Sequence, residues 1–403
     1  MREGQTLKVP QGTGRISGRW VLIFAIILFG LLNVQSLKVL ILGDSAVKVF
    51  HIFAVLGFPI LLVRPQIVFT RIPVPVFLFS SVVIGVSILA PFLLQTFRVD
   101  LNLSGVLINP LLANYTFAFY LMSLGMAISD SQRRLLQVRS SLMWVSWLIL
   151  LLVYAKILFF LNRIGDYLVN PYAHPQLFWF YGGGPNLEAT WMVMNGALLR
   201  GSRSFWAYWL FSFILAVIYA SRVAIVLAMV LVMIELVTSG RRYLFPIATG
   251  LPLVLLLTFV VTNMFNPFAI ERFLLVGKDV GSVTRLEMWR GSLAAVAAWP
   301  LGYGAGNAIA AVEEQSGMEF SENNVHNYFL QVLLDFGLFG FVAWLYVAYY
   351  ILLHFRGLRS PDPFGTYMIL YLVGGLVQFR GAEPLLWFIF GLFVASRRLE
   401  GHG

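Results

Sequence analysis

The chain has 403 residues, of which 59% are hydrophobic, 15% aromatic and 11% charged. Soluble domains carry roughly 25% charged residues, and the mean hydropathy here is +0.83, so an ordinary soluble globule is excluded in favour of a polytopic membrane protein. The net charge is +10, but the basic residues fall in short gaps between apolar runs rather than on one face, which argues against nucleic acid as a partner; the absence of Cys removes disulfides, thiolate metal sites and a Cys nucleophile.

A helix needs about 20 apolar residues to cross a bilayer, and Lys and Arg mark the cytoplasmic gaps. Residues 1–18, with Arg2, Lys8 and Arg15, read as a cytoplasmic leader. The run from Trp20 to Leu37 is too long for a signal-peptide core and has no small-residue cleavage site, so it reads as a retained first span. Runs at 45–63, 74–95, 106–128 and 141–161 complete five helices within 19–161, with Arg64, Arg71, Arg133, Arg134 and Arg139 in the inner gaps. A first outer loop, 162–185, follows.

Asn186 to Leu199 is short and only moderately apolar, and it either spans or dips. If it spans, Arg200, Arg203, Arg241 and Arg242 all fall inside and Arg222 falls outside; if it dips, Arg241 and Arg242 face outward, against the positive-inside tendency. The spanning version is preferred. It gives four helices in 186–262, a large outer loop at 263–326, and three helices plus a cytoplasmic tail in 327–403. The expected fold is therefore all-α, with about twelve spans of membrane length and short helices in the large outer loop.

Within that loop, Thr284-Arg285-Leu286-Glu287 has the form of a capping box, predicting a helix that runs to Ala298, stops at Pro300 and Gly302, and lies near the membrane surface. A helix N-terminus with Arg285, and Arg290 about a turn and a half later, is suited to a phosphate or diphosphate. The alternative is that both cations are solvated or pair with Glu287 and Asp279. Arg222, in Ser221-Arg222-Val223-Ala224, is placed at the outer end of two helices, where it either snorkels or joins an anion site with the other two. Gly302-Tyr303-Gly304-Ala305-Gly306-Asn307 follows a helix stop and no strand, so it is read as a turn and not as a dinucleotide loop. Glu313, Glu314, Glu319 and Glu322 form an acidic stretch read chiefly as a solvated face. His326, where the loop re-enters a span, can exchange a proton near neutral pH and is a candidate to activate a hydroxyl. No two of the five His have metal-ligand spacing, so no metal is expected. His51 and Lys156 are the chief ionisable groups inside spans.

The chain resembles the O-antigen ligase and polymerase superfamily of GT-C-type membrane glycosyltransferases. The resemblance rests on Gly184-Pro185-Asn186-Leu187-Glu188-Ala189, Ser221-Arg222-Val223-Ala224, Arg285 to Arg290 leading to Pro300-Leu301-Gly302-Tyr303-Gly304, and Val325-His326-Asn327-Tyr328-Phe329-Leu330-Gln331 with Asp335 before Gly337-Leu338-Phe339-Gly340. It implies a donor glycan on undecaprenyl diphosphate in the outer leaflet of a bacterial inner membrane, and transfer to a sugar hydroxyl on the periplasmic face. The chemistry implied is inverting and independent of metal or other cofactor. On the matching positions, Arg222, Arg285 and Arg290 would hold the diphosphate, His326 would orient or deprotonate the acceptor, and Tyr303 and Asn327 would line the sugar groove. The partners implied are the lipid-linked donor, a glycan or lipid A core acceptor, the bilayer and a chain-length regulator.

Polymerase and ligase differ in acceptor. The polymerase is preferred here because Asn323, Asn324 and Val325 precede His326, where ligases often carry a second His. A glycolipid transporter or flippase is the reading from another class; it is disfavoured because charge concentrates at the surface and not near the midplane.

Overall fold

A computed structural model describes residues 18–42, 45–63, 72–97, 110–160, 179–182, 184–239, 280–320, 324–379 and 381–400. Most of them are helical, as expected, but the chain is not purely α. After α1 (Gly18–Asn33) come two short antiparallel strands, β1 (Lys38–Leu42) and β2 (Ser45–Lys48), with Leu42 opposite Ser45. The second expected span, 45–63, therefore begins as a strand and continues as two short helices, α2 (Val49–Val55) and α3 (Phe58–Leu62). Its sequence carries the reason: Gly43-Asp44 between two aliphatic stretches is a two-residue hairpin signal. Gly57 then parts α2 from α3, at a point where a Cβ would lie 2.6 Å from the Phe24 ring of α1.

The chain continues through α4 (Val74–Thr96), α5 (Pro110–Ile128), α6 (Gln132–Phe159), α7 (Gly184–Asn195) with a 3-10 turn at Gly196–Leu199, α8 (Phe205–Ile218) and α9 (Arg222–Ser239). Then follow α10 (Val280–Ala298), α11 (Ala308–Ser316), α12 (Tyr328–His354), α13 (Pro363–Gly375) and α14 (Pro384–Glu400). Among the described residues four helices are long and apolar enough to cross a membrane, namely α4, α5, α6 and α12. The expected count of about twelve spans is not reached by that measure. α1, the α2–α3 pair and α8 are apolar but shorter, and the expected ninth span, 243–262, lies outside the described residues, as do most of the leader and most of the loop 162–185.

Hydrogen bonds divide the bundle into two ends. The 18 residues of α9 measure about 27 Å at 1.5 Å per residue. At its first turn Ser221 donates to the Asn186 carbonyl (3.3 Å), and near its last turn Glu235 receives Arg200 (2.8 Å). The segment from Gly184 to Leu199 thus runs antiparallel to α9 along its whole length; its 12 helical residues and four 3-10 residues reach about 26 Å, the same distance. This end-to-end run is the one required if 186–199 spans.

At the Arg200 end the guanidinium is fully buried and donates to Glu235, Thr366, Thr238 and the Gly357 carbonyl. Arg139 donates to the carbonyls of Leu198 and Arg200, and Arg397 reaches Asp362, the N-cap of α13, at 2.6 Å. Buried cations of this kind persist only when each has a partner. Gly18, beside Arg134, and Arg397 lie at this end too, so α1 starts and α14 finishes on the same side. Between the ends, α5 and α14 approach backbone to backbone: a Cβ on Gly391 would lie 2.1 Å from the Met122 carbonyl oxygen, and one on Gly125 would lie 2.4 Å from that of Phe388. Small residues at crossings allow such packing where lipid supplies no hydrophobic drive between helices.

Candidate functional site

The opposite end carries the residues singled out by chemistry. α8 stops at Ile218, and the chain reverses over Tyr219–Ser221. The Ala220 and Ser221 N–H groups donate to the carbonyls of Val217 and Ala216, both at 2.9 Å, which is the pattern of a left-handed helix cap. Ala220 takes φ +49°, a conformation that glycine usually supplies. The turn is held from outside: the Tyr219 hydroxyl donates to Glu188 Oε1 (2.8 Å). Glu188 is fully buried, pairs with Lys156, and accepts the Phe180 N–H at 2.8 Å. Lys156 also lies over the Trp179 ring, 4.5 Å from its centroid. The lysine belongs to the last turn of α6, so it sits toward this end of the bundle and not at its midplane. The Gly184–Ala189 segment and the Lys156 ammonium together pin the turn that presents Arg222 at the head of α9.

Arg222 Nη1 donates to Ser282 Oγ at 3.1 Å, on α10. That helix is already formed at Val280, so Thr284–Glu287 lies inside it and does not cap it. The expected pairing of Arg285 with a helix N-terminus is therefore not realised, since an N-cap needs extended backbone. What α10 provides instead is a stripe. Ser282, Arg285 and Trp289 are spaced i, i+3, i+7 and share one flank, with Arg285 about 4.5 Å along the axis from Ser282 and about 6 Å from Trp289. Ser282 takes Arg222; Trp289 Nε1 donates to the Val325 carbonyl at 2.8 Å, the residue before His326. One helix flank thus carries Arg285 between the docking points of Arg222 and of the His326 turn. Arg290 is not on this flank. It lies about 140° round the helix from Arg285, with its side chain 78% exposed and paired with Glu287 at 2.9 Å.

His326 has φ +53°, uncommon for a residue with a Cβ, and its backbone is fixed on several sides. Its N–H donates to Asn324 Oδ1 (3.1 Å), and the Val325 N–H donates to Gln331 Oε1 (3.1 Å). Asn327, expected to line a groove, is the N-cap of α12 and accepts the Leu330 N–H at 3.1 Å. Ten residues on, α12 breaks at Gly337 (φ +65°, ψ −166°). The break frees the Leu334 and Asp335 carbonyls from their helical partners. Those carbonyls accept the N–H groups of Tyr303 (2.9 Å) and Gly304 (2.8 Å), while the Leu338 N–H donates to the Pro300 carbonyl at 3.0 Å. Asp335, wholly buried, also accepts from Gln331 (2.9 Å) and from the Gly306 N–H (3.3 Å). The Pro300–Gly306 turn is therefore part of the support for the His326 turn, built through Gln331 and Asp335.

Tyr303, expected at the sugar groove, is buried against Leu94, Ala295 and Val325, and its hydroxyl donates to the Ala295 carbonyl at 2.7 Å. Burial pushes that phenol up to about 12, so it is a neutral strut under α10. In the acidic stretch, Glu313 accepts the Phe320 N–H at 2.8 Å and Glu314 is exposed; Glu322 lies outside the described residues. The structure thus docks Arg222 and the residue before His326 on the α10 flank that carries Arg285, leaves Arg290 on another face, and uses Tyr303 and Asn327 as a strut and a helix cap. Glu188 and Lys156 were not assigned to the site from sequence. A lysine inside an apolar run requires a counter-charge, and Glu188 opens the next apolar segment.

The fold is that of a helical membrane protein in which Arg222 and the turn before His326 dock on one flank of α10, and His326 takes a positive φ. Residues 191–345 match the family model described as O-antigen ligase. This portion holds every candidate site residue but not Gly184–Ala189, and the match supports the resemblance to the O-antigen ligase and polymerase superfamily noted in the sequence. No curated protein matches the chain.

Proposed function

We propose that this protein is a membrane glycosyltransferase that moves a glycan from undecaprenyl diphosphate to a sugar hydroxyl on the periplasmic face of a bacterial inner membrane, polymerising O-antigen or a related polysaccharide. The observation that carries the proposal is the α10 flank, on which Arg285 stands between the contact to Arg222 and the contact to the His326 turn. Two guanidiniums there offer fork-shaped donors to a diphosphate. They stabilise the charge that develops as the anomeric carbon–oxygen bond to the diphosphate breaks. His326 accepts the proton of the acceptor hydroxyl while that oxygen bonds to the anomeric carbon, and the lipid diphosphate departs. A single displacement of this kind inverts the anomeric centre, and the cations are those of the chain itself.

The test is transfer by purified protein in detergent with lipid-diphosphate-linked repeat units, with and without lipid A core, comparing the parent with His326→Ala and Arg285→Ala. Chain growth without core, lost in both variants, supports the polymerase. Product formed only with core assigns a ligase, the second reading, in keeping with the description of the matched family. Specific lipid binding with no transfer under either condition overturns the enzyme in favour of a glycolipid transporter.

A further inference from the structure

α10 also has an outward face. Its inward residues Met288, Gly291, Ser292 and Ala295 are buried, and the flank at Ser282, Arg285 and Trp289 serves the site. Val283, Leu286, Arg290, Leu293 and Ala297 follow an i, i+3, i+7, i+10, i+14 pattern and all point outward, exposed. Three of these are large apolar side chains, each about half exposed or more: Val283 45%, Leu286 48% and Leu293 59%.

The ends of α10 show what lies opposite that face. The N-terminal end meets the head of α9 through Arg222 and Ser282. The C-terminal end packs Trp299 against Phe97, at the end of the membrane-length helix α4, with ring centroids 5.6 Å apart and the planes tilted by 55°. A helix of 19 residues, about 28 Å long, that touches the termini of two bundle helices lies across the end of the bundle, not along it. Its exposed side also runs into the lipid-facing belt: Leu301 is exposed beyond Trp299, and Leu338 and Phe339, bonded next to it through Pro300, begin the exposed apolar side of α12.

We infer that the outward face of α10 seats in the headgroup layer of the bilayer, with Leu286 and Leu293 in the acyl boundary and Arg290 on lipid phosphates. An amphipathic helix in the interface plane buries its apolar face to this shallow depth and directs cations to phosphate. Such seating fixes the height of Arg285, on the adjoining flank, relative to the phosphate plane, and it assigns Arg290 to the membrane. The inference rests on the membrane reading of the bundle and is independent of the transfer reaction.

Because the chain has no Cys, single Leu286→Cys and Leu293→Cys variants can each carry one environment-sensitive fluorophore, with Glu314→Cys on α11 as the water-exposed control. The full chain is placed in nanodiscs of phosphatidylethanolamine and phosphatidylglycerol. Expected are blue-shifted emission at 286 and 293, protection from iodide, and stronger quenching by headgroup-level than by mid-chain nitroxide lipids, whereas 314 should emit to the red, be quenched by iodide and be little quenched by either lipid. Iodide access at 286 and 293 equal to that at 314 overturns the inference, as does protection without nitroxide quenching, which would mean that protein covers the face. With Arg290→Gln added to the Leu293→Cys background, preference for nitroxide phosphatidylglycerol over the phosphatidylcholine analogue should drop about fivefold, the factor equivalent to about 1 kcal/mol per basic residue at an anionic surface; an unchanged preference overturns the role given to Arg290. Since no activity is read, failure here leaves the transferase proposal standing, and loss of transfer would leave this one standing.

Discussion

Removing one partner of the Lys156–Glu188 pair is the most direct perturbation of the machinery behind Arg222. Lys156 and Glu188 side chains are 7% and 0% exposed, so solvent screens the pair little. The carboxylate also accepts the Tyr219 hydroxyl and the Phe180 N–H, both at 2.8 Å. Glu188→Gln keeps the shape but strands the ammonium, and losing one member of a buried pair costs about 3–5 kcal/mol. The double variant Lys156→Met/Glu188→Gln strands no charge and keeps an amide oxygen for Tyr219. Its loss should be about 1–3 kcal/mol, the cost of a poorly paired buried donor, and the two single losses should therefore be strongly non-additive. Chemical-denaturation midpoints in detergent, measured for the parent, both singles and the double, give the coupling. Donor binding should follow the same order, because Tyr219 adjoins the Ala220 turn that aims Arg222. Additive losses, or a Glu188→Gln protein as stable as the parent, would refute the pairing.

Three further outcomes test other joints. His326→Gly should be at least as stable as His326→Ala, since glycine relieves the φ of +53°, yet both should lose transfer by about 10²–10⁴-fold, the usual contribution of a general base; single-turnover rates on the two proteins check it. Gly337→Ala would put a Cβ 2.3 Å from the Leu301 carbonyl carbon, so it should destabilise by at least the about 1–3 kcal/mol typical of overpacking, and hydrogen exchange should rise at Tyr303 and Gly304. Gly391→Ala, with its Cβ 2.1 Å from the Met122 oxygen, should lower the apparent melting temperature in detergent without altering the donor KM of the protein that remains folded, because it acts on the α5–α14 crossing and not on the site.

Much of this molecule is legible in its sequence because bilayer thickness and hydrophobic period leave few choices. Among the described residues the apolar runs become helices, apart from the strand that opens 45–63. The turn at Arg222 joins two of them as expected, and α10 ends at Ala298 before Pro300. What escapes is what depends on partners remote in sequence. Arg290 and Arg285 are alike in sequence, yet five residues of helix turn one to the flank that serves the site and the other to the outward face. Thr284–Glu287 has the letters of a capping box, but a cap is decided by backbone dihedrals, and the helix already runs from Val280. Apolar content alone could not show that 38–48 would pair as strands, since short aliphatic runs fit either state.

The break at Gly337 shows how the parts of the site depend on one another. A glycine in an apolar run costs about 1 kcal/mol in a helix, too little to announce an interruption. What stabilises the interruption is the Pro300–Gly306 turn, more than thirty residues earlier in the chain, which places its own N–H groups on the carbonyls that the break exposes. That turn has a matching need. A Cβ on Gly302 would come within 2.4 Å of the Gly337 nitrogen, so each glycine is required by the backbone of the other. Val325 and Asp335 are both bonded to Gln331, and Trp289 holds Val325, so the orientation of His326 is set jointly by the break, the turn and α10. A substitution at Gly302 should therefore weaken proton transfer at His326 without touching substrate, an effect visible as a lower kcat with an unchanged donor KM.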